Sequence, residues 1–321
     1  MKKIKITEGI YASELALGTA SFGTGISEEE SFDLIDRFIE LGGNVLDTAH
    51  VYGDFAPPRR HVSEKTIGKW LKQKPASARK DVLIATKGAH PLPGTPMTMP
   101  RLSKAEIEED INGSLKCLGV DYIDIYWLHR DDTRREVEEI METLAGLVKS
   151  GKARCLGVSN WRAERIKAAN DYAEKNSLPK IYTSQIEYSL AQVNLDAIDN
   201  TLVVMDEIEF AFYRDAKMPV FAFTAQAKGY FDKLAADKLT EMTIKRYTND
   251  INSRNFEILK RLSESNGRGL TQNSIAWLRS NPCFDVIPII GCRNLTQLED
   301  SVGGIGYKID FAEFESVFQK V

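Results

Sequence analysis

LALGTASFGTG, residues 15–25, decides between two α/β architectures. An open, doubly wound sheet that binds a dinucleotide carries G-x-G-x-x-G in the turn after its first strand, followed by an acid about 20 residues on. That fingerprint is absent here, which favours the rival, a closed parallel barrel. Outward from this segment, short apolar or β-branched runs alternate with amphipathic charged segments almost to the C-terminus. The candidate strands are LALGT (15–19), NVLDTA (44–49), VLIATK (82–87), IDIYWLH (123–129), ARCLGVS (153–159), TSQIEYS (183–189), VFAFTA (220–225) and DVIPIIG (285–291). Eight β-then-α units predict a protein of class α/β, a single (β/α)8 TIM barrel spanning 1–321 as one domain. Upstream, KKIKITEGIYASEL reads as a short N-terminal hairpin closing the bottom of the barrel. Helices are expected over 27–41, opened by SEEE with Ser27 as cap, and over 103–118, opened by SKAE as a capping box.

The length of 321 residues, twice the roughly 150 of a common domain, fits one large barrel or two domains. Hydrophobic residues at 43% and charged residues at 27% exclude disorder and collagen-like repeats. Lys plus Arg number 42 against 46 Asp plus Glu, a formal net charge of −4, so no basic field attracts nucleic acid or an anionic membrane. The expected partner is a small molecule. Four cysteines without C-x-x-C or His-containing spacing read as reduced thiols, and MKKIKITEGI alternates polar and apolar residues instead of continuing into an apolar run. With no apolar stretch of 18 residues, a cytoplasmic protein is expected.

Chemistry gathers at the strand ends. The second strand delivers DTAHVYGD, with Asp47 at its C-terminal edge and Tyr52 one short turn later, while the third ends at Lys87 and the fourth at His129. Singly, each has an ordinary structural role: a helix cap, a half-buried aromatic, a solvated strand end, a hydrogen-bonded rim histidine. Together they describe a proton donor. A phenol, with an ordinary pKa near ~10, gives up its proton reluctantly at neutral pH. A lysine ammonium stabilises the phenolate, and an aspartate keeps that lysine charged and oriented. A histidine across the substrate donates to a carbonyl oxygen as it becomes an alkoxide. The reaction so described is carbonyl reduction.

GGNVLDTAHVYG at 42–53 matches the G-x-N-x-x-D-T-A-x-x-Y-G pattern of the aldo-keto reductase superfamily. The sequence resembles that superfamily from LGTASFG to PIIGCRNLTQLED, nearly its whole length. The resemblance implies a barrel that uses NADPH (NADP+) and no metal to reduce a small-molecule carbonyl substrate, with Asp47, Tyr52, Lys87 and His129 as catalytic residues. It also implies that Ser159 and Asn160, with Gln185, bind the nicotinamide carboxamide, and that Phe223 stacks on the nicotinamide with Thr224 facing the pyrophosphate. GCRNLTQLED, from Gly291, matches the adenosine-phosphate grip. Arg293 is placed on the 2′-phosphate, where a guanidinium fork pairs bidentately, with Gln297 and Asp300 toward the adenine. Two departures stand out: Ser301 replaces a common asparagine, and Ala225-Gln226-Ala227-Lys228 replaces a Pro-Leu turn, with Lys228 offered to the pyrophosphate.

Other expectations concern the rim. Segments 89–102 and 227–252 exceed ordinary connection lengths and are candidate covers of the site. FAPPRRH lengthens the 54–61 loop, where Arg59, Arg60 and His61 read as an anionic-substrate contact or, more commonly, a charged surface. Trp161, Tyr230 and Phe231 are candidate pocket walls, Trp127 is expected to pack behind the fourth strand, and Asp131 or Asp132 to cap the next helix. Two other functions share these residues: a cofactor-binding regulatory subunit of the same fold, as in potassium-channel β subunits, and a lyase or aldolase using Lys87 as a Schiff base.

Overall fold

The computed structural model describes residues 1–54 and 60–314. β1 (Lys3–Thr7) and β2 (Ile10–Ser13) form an antiparallel hairpin. The eight expected strands follow as β3 (Ala16–Gly18), β4 (Val45–Asp47), β5 (Leu83–Gly88), β6 (Ile123–Leu128), β7 (Ala153–Ser159), β8 (Ile181–Glu187), β9 (Val220–Phe223) and β10 (Val286–Ile290). All pair in parallel and close into a barrel in the order β10-β3-β4-β5-β6-β7-β8-β9.

Alternation along each strand sorts side chains between two cores. Leu46, Ile84, Tyr126, Leu128, Leu156 and Val158 point outward into the apolar layer beneath the helices. Val45, Ala85, Ile125 and Phe221 point into the barrel, where they meet Ile4, Ile6, Ile10 and Ala12 of the hairpin. The hairpin therefore seals the bottom, as the sequence suggested. Trp127 corrects an expectation, because it lies in this inner cluster and not behind its strand. It shares the parity of Ile125, and its register partner Gly157 makes room, since a Cβ at 157 would overlap the indole.

The outer layer begins with α1 (Glu28–Glu40), α2 (Val62–Gln73) and α3 (Lys104–Leu118). Capping boxes Ser27–Glu30 and Ser103–Glu106 open α1 and α3, satisfying donors that the first helical turn leaves bare. α4 (Val137–Lys149), α5 (Ala163–Lys175) and α6 (Glu207–Ala216) follow. The capping role foreseen for Asp131 or Asp132 is not found. α4 starts after Glu136, while Asp131 binds Arg165 at 3.0 Å and Asp132 binds Arg134 at 2.6 Å. Segment 227–252 is not a plain loop either, since it holds α7 (Tyr230–Ala235), α8 (Glu241–Tyr247) and the start of α9 (Asp250–Asn266). α10 (Leu270–Arg279) and α11 (Leu295–Val302) complete the layer. No helix among the described residues is long and apolar enough to cross a membrane.

One buried acid makes stability depend on pH. Glu209 in α6 is fully buried, with Oε1 accepting from the Ala163 N–H at 3.1 Å and lying 3.7 Å from Arg162, and with Oε2 lacking a hydrogen-bond partner among the described residues. Burial pushes its carboxyl up to about 7. The folded protein thus holds this proton more tightly than the unfolded chain does. Ionisation costs nothing below about pH 4, and the cost grows to roughly 3 kcal/mol by pH 7 to 8. Glu209→Gln keeps an accepting oxygen without the charge, so denaturant melts should show it stabilised at pH 8 and near neutral at pH 4.5. A gain equal at both pH values would refute this account.

Candidate active site

The C-terminal rim of the barrel brings the four expected side chains together. Asp47 is the last residue of β4, Lys87 the penultimate residue of β5, and His129 follows β6 with its N–H still donating to the Gly88 carbonyl at 2.8 Å. Tyr52 comes from the turn after β4. The Lys87 ammonium is almost fully buried and donates to Asp47 Oδ2 at 2.7 Å, the Thr48 carbonyl at 2.8 Å and the Tyr52 hydroxyl at 3.2 Å. These use all three ammonium protons. Burial opposes the lysine's charge, but Asp47 and Tyr52 outweigh it and hold its pKa above the ordinary value. Gln185 Nε2 binds the other carboxylate oxygen of Asp47 at 2.8 Å.

His129 stands edge-on to Tyr52, with ring centroids 5.9 Å apart. Burial first, then His90, Arg130 and Lys87, push its pKa far down, so the imidazole is neutral. Its Nδ1 is buried without a hydrogen-bond partner among the described residues. His90 packs 4.7 Å from the His129 ring and is itself lowered to about 4, chiefly by burial.

A cavity of about 900 Å³ opens above these residues, at the upper end of the roughly 300–1,000 Å³ of small-molecule sites. Tyr52 and His129 lie in its wall together with Ser159, Asn160, Gln185, Phe223, Thr224 and Lys228, and so do Gly291, Arg293, Gln297 and Asp300. Every cofactor-contact residue read from the sequence thus reaches one cavity. Their remaining hydrogen-bond capacity differs. Asn160 spends both amide protons on the His129 carbonyl and Ser159 Oγ, and its oxygen accepts from the Val203 N–H. One lone pair is left. Gln185 keeps its oxygen and one N–H. The exposed Arg293 guanidinium makes no ion pair among the described residues, while its backbone N–H binds Gln297 Oε1 at 2.9 Å. Burial lowers the pKa of Lys228, which sits in left-handed backbone at φ 56°.

A sequence profile of the Aldo/keto reductase family matches residues 14–320. The chain belongs to this family. It is 29% identical over 307 residues to the uncharacterized oxidoreductase YrpG of Bacillus subtilis, covering 94% of this chain and 90% of that protein. Norsolorinic acid reductase B of Dothistroma septosporum is 26% identical, with coverage of 98% and 80%. The putative aryl-alcohol dehydrogenase AAD14 of Saccharomyces cerevisiae is also 26% identical, with 98% and 85% covered. The protein is accordingly an oxidoreductase of a carbonyl-reducing family.

The two departures from the pattern of this aldo/keto reductase family meet in space. Gln226 donates through Nε2 to Ser301 Oγ at 2.8 Å and accepts from the Gly291 N–H at 2.9 Å, tying β9's end to β10's end and α11. Sequence reasoning missed this bridge and also Arg130, which lines the cavity. Several rim expectations are not met. Trp161, Tyr230 and Phe231 are buried in the outer core and do not reach the cavity. Segment 227–252 contributes Lys228, Gly229, Asp232, Lys233 and Met242 to the wall, whereas 89–102 contributes none. Arg59 lies outside the described residues, and Arg60 is exposed and does not line the cavity, in keeping with the commoner reading of a charged surface. His61 stacks on His50 at 3.7 Å. His50, Glu64 and Cys117 place ligand-type atoms within 4.8 Å of one another, but His50 Nδ1 and Glu64 Oε2 already satisfy each other at 2.8 Å.

Proposed function

We propose that the protein reduces an aldehyde or ketone to the alcohol with NADPH, Tyr52 giving the proton. The observation that carries this reading is Lys87, whose buried ammonium joins the Asp47 carboxylate to the Tyr52 hydroxyl at the floor of the cavity. The wall fits a dinucleotide by its chemistry. Amide and hydroxyl groups of Ser159, Asn160 and Gln185 suit a neutral carboxamide, the half-buried Phe223 offers a ring face, and Lys228 and Arg293 offer cations for phosphate. A reduced nicotinamide bound there supplies the hydride. Tyr52 hands its proton to the carbonyl oxygen, and the Lys87 ammonium stabilises the phenolate left behind. Asp47 keeps that ammonium in place. Neutral His129, on the other side, orients the carbonyl and offers a hydrogen bond as negative charge grows on its oxygen. Oxidation of NADPH followed by absorbance with simple aldehydes tests the reading, and its failure across aldehydes, ketones and aldoses would remove it.

Cofactor preference follows from Arg293. With no anion among the described residues to hold it, its guanidinium is available to a 2′-phosphate, a contact worth roughly 1.5 to 3 kcal/mol. Arg293→Glu should weaken NADPH by about tenfold to a hundredfold and barely affect NADH, read as dissociation constants from cofactor fluorescence. Equal weakening of both would assign the discrimination elsewhere.

A further inference from the structure

Arg130 is 8% exposed and lines the cavity beside Tyr52 and His129. Its Nη1 donates to the His129 carbonyl at 2.9 Å and its Nε to Thr201 Oγ1 at 3.2 Å. Three of its five N–H bonds thus have no acceptor among the described residues. No carboxylate oxygen of those residues lies within 4.0 Å of its guanidinium. The acid that acts on it from farther off, Asp199, is engaged by the Thr201 N–H at 2.8 Å and hydroxyl at 2.7 Å. Other shielded arginines are treated differently by this fold: Arg79, Arg165 and Arg246 meet Asp124, Asp131 and Glu187 at 2.7, 3.0 and 2.6 Å. A buried guanidinium without a counter-ion is costly, and the cost is relieved where a ligand brings the anion.

We propose that the carbonyl substrate carries a carboxylate and that Arg130 receives it, holding the neighbouring carbonyl against Tyr52 and His129. This rests on the carbonyl-reducing reading of the site. Cofactor phosphate is the other conceivable anion, and the topology argues against it. Arg130 follows β6, whereas Arg293 follows β10, four strands away on the opposite side of an eight-stranded rim. The fork geometry favours a planar carboxylate gripped by two N–H bonds.

The test uses matched probes: 2-, 3- and 4-carboxybenzaldehyde and their methyl esters, reduced with NADPH by the wild type and by Arg130→Met. Within each pair the carbonyl is the same and only the charge differs. At least one acid should exceed its ester in kcat/KM by about tenfold, and Arg130→Met should erase that ratio, mainly through the KM of the acid. A purely structural role would lower acid and ester together and keep the ratio, overturning the inference. So would esters matching acids in the wild type, or a loss confined to NADPH affinity, which would give the anion to the cofactor. If no aldehyde at all is turned over, the reading of the reaction fails, and terephthalate binding by calorimetry with and without NADP+ decides the anion site separately. Binding that falls at least tenfold in Arg130→Met supports it, and absence of binding to the wild type refutes it.

Discussion

Exchanging Tyr52 for phenylalanine should lower kcat for carbonyl reduction by roughly 10²- to 10⁴-fold, the contribution of a positioned proton donor, and leave cofactor affinity close to that of the wild type. The change removes one oxygen. Lys87 keeps Asp47 and the Thr48 carbonyl as acceptors, so no charge is stranded and the fold at the rim should persist. The phenyl ring still stands edge-on to His129. Loss of turnover with cofactor binding intact therefore isolates the hydroxyl itself. Steady-state kinetics alongside cofactor fluorescence titration provide both readouts, and a variant with wild-type kcat would end the assignment of Tyr52 as the donor.

The second large effect is expected at Lys87, for both rate and stability. Lys87→Met leaves the Asp47 carboxylate buried with only Gln185 to bind it, and an orphaned buried charge typically costs about 3 to 5 kcal/mol. Asp47 should respond by taking up a proton, because burial already raises its pKa even with the lysine present. Turnover should fall by several orders of magnitude, as the phenolate loses its cation. A paired variant, Asp47→Asn with Lys87→Met, separates the two effects by restoring stability through removal of both charges without restoring rate. A Schiff-base enzyme behaves otherwise, since borohydride with substrate would leave mass on Lys87 of the wild type. That adduct, or a fully active Lys87→Met, would overturn the hydride-transfer mechanism. The three acceptors already holding the ammonium argue against a free amine nucleophile.

What the sequence made legible follows from the range over which each signal acts. The eight strands were readable because each is a short apolar run ending at a rim residue, and every one lies within two residues of its expected bounds. Ser27 and Ser103 were readable because a capping box is complete within four residues. The placement of Asp47, Tyr52, Lys87 and His129 around one point was readable because the barrel delivers all strand ends to one face. Failures came where the deciding partner is distant in sequence. Trp127 turns inward because Gly157 across the ladder leaves space, which IDIYWLH alone does not say. Asp131 was assigned to a helix start that lies farther on, and its true partner, Arg165, is 34 residues away. Gln226 and Ser301, 75 residues apart, looked like separate departures. Arg130 escaped notice because a charged residue after a strand is ordinary, and only the lack of a directly paired carboxylate among the described residues makes it informative.

The hairpin of β1 and β2 also governs traffic. Ile4, Ile6, Ile10 and Ala12 of the hairpin share the inner cluster with Trp127 and Phe221, whose rings meet edge to face, so the described residues fill the barrel below the site. The cavity that Tyr52 lines opens at the upper rim, among the strand ends. On the proposed reaction two reactants would share that mouth, and one seated deeper would have to enter before the other and leave after it. The stopper at the bottom of the barrel would then set the order of events at its top.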